Sequence, residues 1–271
     1  MMQTTIPIEV QNADALFISH SGGKDSQATL ALLKRLGMLD RKHVIIVHAD
    51  LGEMEWEPMH SWIEANSFGM KVHVVKAPVD FFELCRQTKR LPSGNMQYCT
   101  DVLKIEPIKE YLHEYLYAHG LKTAVNVTGM RAAESKRREG KSPFTLSRGK
   151  HTSGMDMPVK YAEHTVYDWL PIFEYSTVEV FAEIAAAGQE PHEVYSMGFS
   201  RLSCVFCVNG KVEEHQRAAE LRPELALKIA NLERELGKTY RLKQVNKVKL
   251  PKYLDEYLTA LPPKFTGAFT C

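Results

Sequence analysis

Residues 15–26 read Ala-Leu-Phe-Ile-Ser-His-Ser-Gly-Gly-Lys-Asp-Ser, a short apolar run that stops at a double-glycine turn. From Ser26 to Leu36, Ala28, Leu32 and Leu36 fall on one helical face and Gly37 closes the segment. A strand, a tight turn and a helix in that order form an anion cradle. The glycines let the backbone approach a phosphate with no Cβ in the way. The helix start supplies unpaired N–H groups and about half a positive charge. Lys24 adds a point charge, Ser19, Ser21 and Ser26 offer hydroxyls, and Asp25 can orient them or help hold Mg²⁺. The GxxxxGK[ST] pattern of a Walker loop is absent. Simple helix capping would explain a Ser or an Asp here, but not Gly22 and Gly23 with Lys24 and two serines.

Working outward, the same alternation repeats. His43 to Val47, β-branched without a break from Val44 on, reads as a parallel strand covered on both faces. Trp56 to Ser67 reads as helix, Lys71 to Val75 as strand, Ile105 to Ala118 as helix and Thr123 to Val127 as strand. This βαβα order predicts an α/β fold with an open, doubly wound parallel sheet. Thr177 to Ala187 and Val212 to Leu236 read as helices, the second interrupted near Pro223. The expected organisation is a catalytic domain over 1–210 and a helical, basic C-terminal extension over 211–271. Lys238 to Lys252 holds six basic residues and no acid, and is expected to be a basic helix or tail. Glu139 to His164, rich in Gly, Ser, Pro and His, is expected to be a long loop or lid.

Bulk properties exclude several classes. The chain has 271 residues, 44% hydrophobic and 25% charged, with a net charge of +1. It needs no disulfide staples at this size. Nor is it a polybasic coat, so attraction to nucleic acid has to come from a local patch. No run of about 18 apolar residues predicts a membrane span, and the first fifteen residues lack the pattern of a secretory signal. Five cysteines, an odd number, suit a reducing compartment, and the expected location is the cytoplasm.

Other residues stand where chemistry needs them. Asp50 ends the second strand, where an open α/β sheet meets its ligand, and can bond a ribose hydroxyl or hold a metal. Lys104, Arg131, Arg137 and Arg138 can neutralise an anionic nucleotide and departing pyrophosphate. Arg131 follows a strand ending in Thr128-Gly129, and Glu134 can orient it or bind Mg²⁺. Cys204-x-x-Cys207 alone suits zinc, a redox pair, iron–sulfur ligation or coincidence equally. No second CxxC exists, though His215 or His192 could complete a zinc site. Cys85, in an apolar helical stretch, reads as core packing, and Cys271 is the last residue.

Taken together, SGGKDS, His48-Ala49-Asp50-Leu51-Gly52, Cys99-Thr100-Asp101-Val102-Leu103-Lys104, Gly129-Met130-Arg131-Ala132-Ala133-Glu134-Ser135, Leu170-Pro171-Ile172 and the run from Tyr195 to Cys207 resemble one family in order. It is the phosphoadenosine-phosphosulfate-reductase-like branch of the N-type ATP pyrophosphatases, the PP-loop group. The resemblance implies a sheet of the adenine nucleotide α-hydrolase (HUP-like) type, with ATP and Mg²⁺ as cofactors. It implies nucleotide binding by Ser19, Ser21, Gly22, Gly23, Lys24, Asp25, Ser26, Asp50, Lys104, Gly129, Arg131 and Glu134, with Lys24, Asp25 and Arg131 catalytic. It also brings Cys99, Cys204 and Cys207 to the active-site mouth, where three thiolates suit a [4Fe–4S] cluster with one open iron; zinc is the lesser expectation.

Sulfonucleotide reductases of this branch carry a degenerate loop and a Glu-Cys-Gly-Leu-His-like tail. Here the loop is intact and that tail is missing. The sequence looks closest to the sulfur-transfer component of Dnd-type DNA phosphorothioation, though shorter than is usual for it. The implied activity is adenylylation of an acceptor through the α-phosphate of ATP, followed by sulfur transfer. Nucleic acid is the expected acceptor and a cysteine desulfurase a candidate sulfur donor. The alternatives are an adenylylsulfate or phosphoadenylylsulfate reductase using a thiol such as Cys271, and a non-catalytic nucleotide-binding regulator.

Overall fold

In the computed structural model, which describes residues 4–147, 163–239, 241–245 and 248–254, strands and helices alternate. A short helix α1 (Ile8–Asn12) precedes β1 (Ala15–Ser19), α2 (Lys24–Arg35), β2 (Val44–Asp50), α3 (Met59–Ala65) and β3 (Val72–Lys76). After α4 (Phe81–Thr88) and the single turn α5 (Tyr98–Thr100) comes a π-helix, Asp101–Ile105, that runs into α6 (Glu106–His119) and then β4 (Thr123–Thr128). There follow α7 (Lys136–Glu139), β5 (Phe144–Leu146), β6 (Thr165–Trp169) and α8 (Thr177–Ala186). Helices α9 (Val212–Leu221) and α10 (Pro223–Leu236) lead to a hairpin of β7 (Arg241–Val245) and β8 (Val248–Lys252). Among the described residues no helix is long and apolar enough to cross a membrane.

The chain divides into two compact units, and the division is discontinuous rather than a single cut at residue 210. The first unit takes the chain up to Asp50, Glu57–Ala77 and Lys104–Leu202; the second takes Leu51–Trp56, Pro78–Leu103 and the chain from Ser203 onward. Charge pairing explains why the short segment after β2 leaves the sheet's unit. Arg222 donates to the carbonyls of Glu55 (3.1 Å) and Glu53 (3.4 Å), and Lys228 reaches the Glu53 carboxylate at 2.6 Å. The Val205 amide, inside the CxxC, donates to the Met54 carbonyl at 2.9 Å.

Within the first unit, six strands order as β3-β2-β1-β4-β6-β5, all parallel except the edge pair β5–β6. This is the doubly wound α/β sheet expected, with β1 at its centre. Phe17 and Ala15 pack with Ile45, Val47, Ala124, Val166 and the α6 residues Leu112 and Leu116. Leu16 and Ile18 alternate to the opposite face and are fully buried too, which is why the strand is apolar without a break. Helix α2 packs on α8 through Ala28, Leu32, Val180 and Ile184. A bidentate Arg35–Glu183 pair, 2.7 and 3.0 Å, closes that contact. Ser176 and Glu179 form the reciprocal capping box that starts α8.

Three sequence expectations need adjusting. Part of the expected lid is ordered structure: its first residues close α7, and Phe144–Leu146 is the antiparallel edge strand; residues 148–162 lie outside the described residues. Strand β6, which pairs with β4 over Thr123↔Thr165 to Val127↔Trp169, was not anticipated. The basic stretch forms a β-hairpin, Arg241–Val245 with Val248–Lys252, and not a helix; Val248 and Leu250 stand at strand spacing, and Pro251 suits an edge strand better than a helix interior. The break at Pro223 is as expected: Arg222, at φ −133° and ψ 63°, leaves the helical conformation between α9 and α10.

Candidate nucleotide site and cysteine turn

Chain order places the first site. β1 connects leftward to β2, while its right-hand neighbour β4 comes later, so the strand order reverses between β1 and β4. Loops after those two strands frame the crevice where open α/β sheets bind ligands. They are residues 20–23 and the Gly129–Arg131 segment. The two are in direct contact: a Cβ on Gly129 would lie 2.5 Å from the Asp25 carbonyl and 2.7 Å from the Ser26 nitrogen. Only glycine lets β4 end this close to the start of α2.

The loop's own polar groups are largely committed to holding its shape. Gly22, at φ +78°, donates its N–H to Nδ1 of His20 at 3.1 Å. The Ser26 hydroxyl accepts from the Ser21 amide (3.2 Å) and donates to the Gly23 carbonyl (2.9 Å). The Lys24 amide donates to the Tyr195 hydroxyl at 2.8 Å. What remains are the first-turn amides of Gly23, Asp25 and Ser26, which find no acceptor among the described residues, as a helix start leaves them.

Charge gathers at the same point. The Asp25 carboxylate lies 2.7 Å from the Lys24 ammonium and 2.5 Å from Nε of Arg131. Lys24 is 5% exposed and Arg131 3%, so two cations and one carboxylate leave a buried net charge of +1 beside the unpaired amides. That is an electrostatic site for an anion. Arg131 also donates from Nη1 to the Tyr175 carbonyl at 3.1 Å, and its amide is held by Glu134. It therefore braces Asp25 from behind, and Glu134 orients it through its backbone.

His20 is buried with Nδ1 taken as an acceptor, so the neutral ring carries its proton on Nε2, which has no partner among the described residues. Burial, with neighbouring His48, pushes its pKa down to about 3. The Nδ1–H of His48 donates to the His20 carbonyl at 2.9 Å. The Ser19 hydroxyl donates to Asn126, 3.0 Å away, whose amide in turn donates to Asp168. Asp50 ends β2 with Lys76 at 3.4 Å. Lys104, half-buried, lies in the π-helix. A cavity of about 440 Å³, lined by Pro58, Ser61, Trp62, Pro191, His192 and Glu193, lies close in sequence to two loop contacts, Met59 at Gly22 and Tyr195 at Lys24. Sequence reasoning quoted His20 and Tyr195 without seeing their roles, because a buried imidazole or phenol acquires a role only from what it touches.

The cysteines belong to the second unit. Cys85 is buried in α4, as expected of core packing, and burial pushes its thiol up to about 11. Cys99, Cys204 and Cys207 are half-buried and none forms a disulfide. Around the CxxC it is the backbone that is pinned. The Cys207 amide donates to the Cys204 carbonyl (3.1 Å), the Gly210 amide to the Cys207 carbonyl (2.8 Å), and Nε2 of His215 to that same carbonyl (2.7 Å). A Cβ on Gly210 would meet both the Cys207 carbonyl and His215 at 3.0 Å. Among the described residues no three His, Cys, Asp or Glu side chains gather in metal-holding geometry; Cys271 lies outside them. The donor chemistry of three undisulfided thiols suits sulfur-ligated iron. His215, which spends Nε2 on a carbonyl, is less suited to complete a zinc site through that atom.

The family model of the phosphoadenosine phosphosulfate reductase domain matches residues 15–209. Two uncharacterized proteins of Methanocaldococcus jannaschii are 28% and 26% identical over 82% and 84% of this chain. The alignments cover 48% and 43% of those proteins, so the chain spans about half the length of the curated relatives it matches. Among solved structures, a phosphoadenylyl-sulfate reductase from Candida auris, in a phosphate complex, aligns at 15% identity and a TM-score of 0.47, over 72% of this chain and 83% of that one.

Proposed function

As the chain belongs to the phosphoadenosine phosphosulfate reductase domain family, we propose that it is an ATP-splitting enzyme that activates an acceptor for sulfur transfer. The observation that carries this reading is the buried +1 charge of Lys24, Asp25 and Arg131 beside the unpaired amides of Gly23, Asp25 and Ser26. The phosphates of ATP sit on those amides, with the nucleoside toward the Trp62–His192 cavity. An acceptor hydroxyl oxygen attacks the α-phosphate. The new P–O bond forms as the bond to the β-phosphate bridging oxygen breaks, the hydroxyl proton is lost, and pyrophosphate leaves. Amides already fixed before reaction stabilise the charge moving onto that leaving group. With both Asp25 oxygens engaged, Asp50 is the carboxylate assigned to Mg²⁺ on the nucleotide.

A sulfur nucleophile at the oxidation level of sulfide, formed from the persulfide of a donor protein such as a cysteine desulfurase with two electrons from a dithiol reductant, then attacks the activated carbon. A C–S bond forms, the C–O bond breaks and AMP leaves. Cys99, Cys204 and Cys207 are the residues that would hold a [4Fe–4S] cluster, which when bound would supply an open iron to carry sulfur. An odd number of cysteines, five, supports a reducing, cytoplasmic setting for the reaction. The acceptor assigned is nucleic acid, on the strength of the β7–β8 hairpin. Its two strands carry Arg241, Lys243, Lys249 and Lys252 and no acidic residue, a local basic composition of the kind that attracts a polyanion. Binding to DNA or RNA that does not weaken with salt would remove this assignment.

The test is pyrophosphate release from ATP, followed in the presence of DNA or RNA acceptors. Wild-type protein should release it, and Lys24→Ala should slow release by about 10²–10³. Sulfite release from an activated sulfate nucleotide, with no use of ATP, would overturn the reading in favour of a reductase.

A further inference from the structure

Tyr195 is not among the loop residues, yet its hydroxyl is the group that meets the loop most closely from outside. It ends the single turn Glu193–Tyr195, which His192 caps by accepting the Val194 amide on Nδ1 at 3.1 Å. Its ring packs edge-on against Phe181 of α8, with centroids 5.9 Å apart, and stands 5.8 Å from the Lys24 ammonium. The phenol is thus held by its own turn and by α8, the helix that packs on α2.

A phenolic oxygen has two lone pairs and one proton. Both lone pairs are used here: the Lys24 amide donates to it at 2.8 Å and the Leu202 amide at 3.3 Å. The remaining capacity is as a donor, and no acceptor among the described residues takes that proton. The hydroxyl lies 3.6 Å from where a Cβ on Gly23 would be, beside the unpaired amides. Its acidity is lowered, with burial pushing the pKa up to about 12, so it keeps its proton at any working pH.

We propose that the Tyr195 O–H donates to a phosphate oxygen of the nucleotide on residues 21–26, relaying the Lys24 amide to the phosphate through the phenol. The Lys24 N–H polarises the oxygen, and a hydroxyl accepting such a bond is a better donor. Tyr195 then sets which amides face the phosphates: those of Gly23, Asp25 and Ser26 directly, that of Lys24 through the relay. This rests on the proposed seating of ATP on the same loop.

Calorimetric titration of the full chain with ATP, inorganic pyrophosphate and adenosine tests it. A hydrogen bond to a charged phosphate is worth roughly 1.5–3 kcal/mol. Tyr195→Phe should therefore weaken ATP and pyrophosphate binding by at least about tenfold and leave adenosine unchanged. An equal loss for adenosine would reduce Tyr195 to a structural tie, and unchanged pyrophosphate affinity would remove the contact; either overturns the proposal. Should the Phe variant fail to fold, 3-fluorotyrosine at position 195 keeps the shape and strengthens the donor. It should then tighten pyrophosphate binding, and weaker or unchanged binding overturns the inference. Wild-type protein that binds neither ATP nor pyrophosphate would instead sink the seating of ATP itself, an outcome visible before any variant is made.

Discussion

The phosphate loop of the first unit and the cysteine turn of the second are both tight turns ahead of a helix, and they are braced in opposite ways. In the loop, side chains do the bracing: His20, Ser26, Asp25, Arg131 and Tyr195 fix its shape, and backbone amides are left to meet a ligand. In the turn, His215 and two backbone bonds hold the main chain, and the cysteine side chains are half-buried with no disulfide between them. A phosphate is best met by several amides whose positions are set beforehand, because they cost no reorganisation as charge develops. A sulfur-ligated centre, if the turn holds one, would need thiolates, and the bonds that fix this turn are made by its backbone and leave the cysteines uncrosslinked.

Removing the loop's carboxylate should break this contrast most severely. Asp25→Asn leaves Lys24 and Arg131 facing each other with no counter-charge. Uncompensated buried ions of this kind cost several kcal/mol, and with Asp25 partly accessible about 3 kcal/mol is expected in urea unfolding. A loss below about 1 kcal/mol would mean the charges are solvated and the loop is not braced through side chains.

The next effect is one of pH. Burial, with His48 beside it, pushes the folded His20 imidazole from 6.5 down to about 3. The unfolded chain therefore takes up this proton first as pH falls. Stability from the neutral ring is complete above about pH 6.5 and lost progressively toward pH 3. Between pH 6.5 and 5 that amounts to about 2 kcal/mol. His20→Asn offers Gly22 an acceptor without a titrating ring. Its stability should change less over that interval by the same amount, and parallel pH profiles for the two proteins would show that His20 does not control this step.

The smallest effect sharpens the other side of the comparison. His215→Ala removes one bond to the Cys207 carbonyl and should cost about 1–2 kcal/mol. Cys204 and Cys207 should react severalfold faster with a thiol reagent, while ATP affinity stays as it was. Unchanged thiol reactivity would indicate that the two backbone bonds alone define the turn.

Much of this was legible in the chain itself. An apolar run, two glycines and a helical period gave β1, the loop and α2, because each is a local pattern read at a fixed spacing. The parallel sheet followed from the same alternation, and Pro223 marked a helix break by its missing N–H. The candidate-site residues Lys24, Asp25, Arg131 and Glu134 stood out by residue type and place, and the fold brings them together. Strand β6 and the basic hairpin escaped, since Thr165–Trp169 and Arg241–Lys252 are short, and weak strand patterns gain their identity from a partner strand. The discontinuous division of the chain escaped for a similar reason: it depends on Arg222 and Lys228 meeting Glu53 and Glu55, more than 160 residues away in sequence.

Sequence alone determined which chemical groups this protein has at the ends of its strands and how the chain approaches them. Tertiary structure decided which of those groups are consumed in holding the site and which remain to act. Arg131 became a brace and Ser19 a sheet contact, and Tyr195 joined the loop from 171 residues away. The physical reason is that hydrogen-bonding capacity and charge are finite, and only the folded arrangement shows where each has been spent.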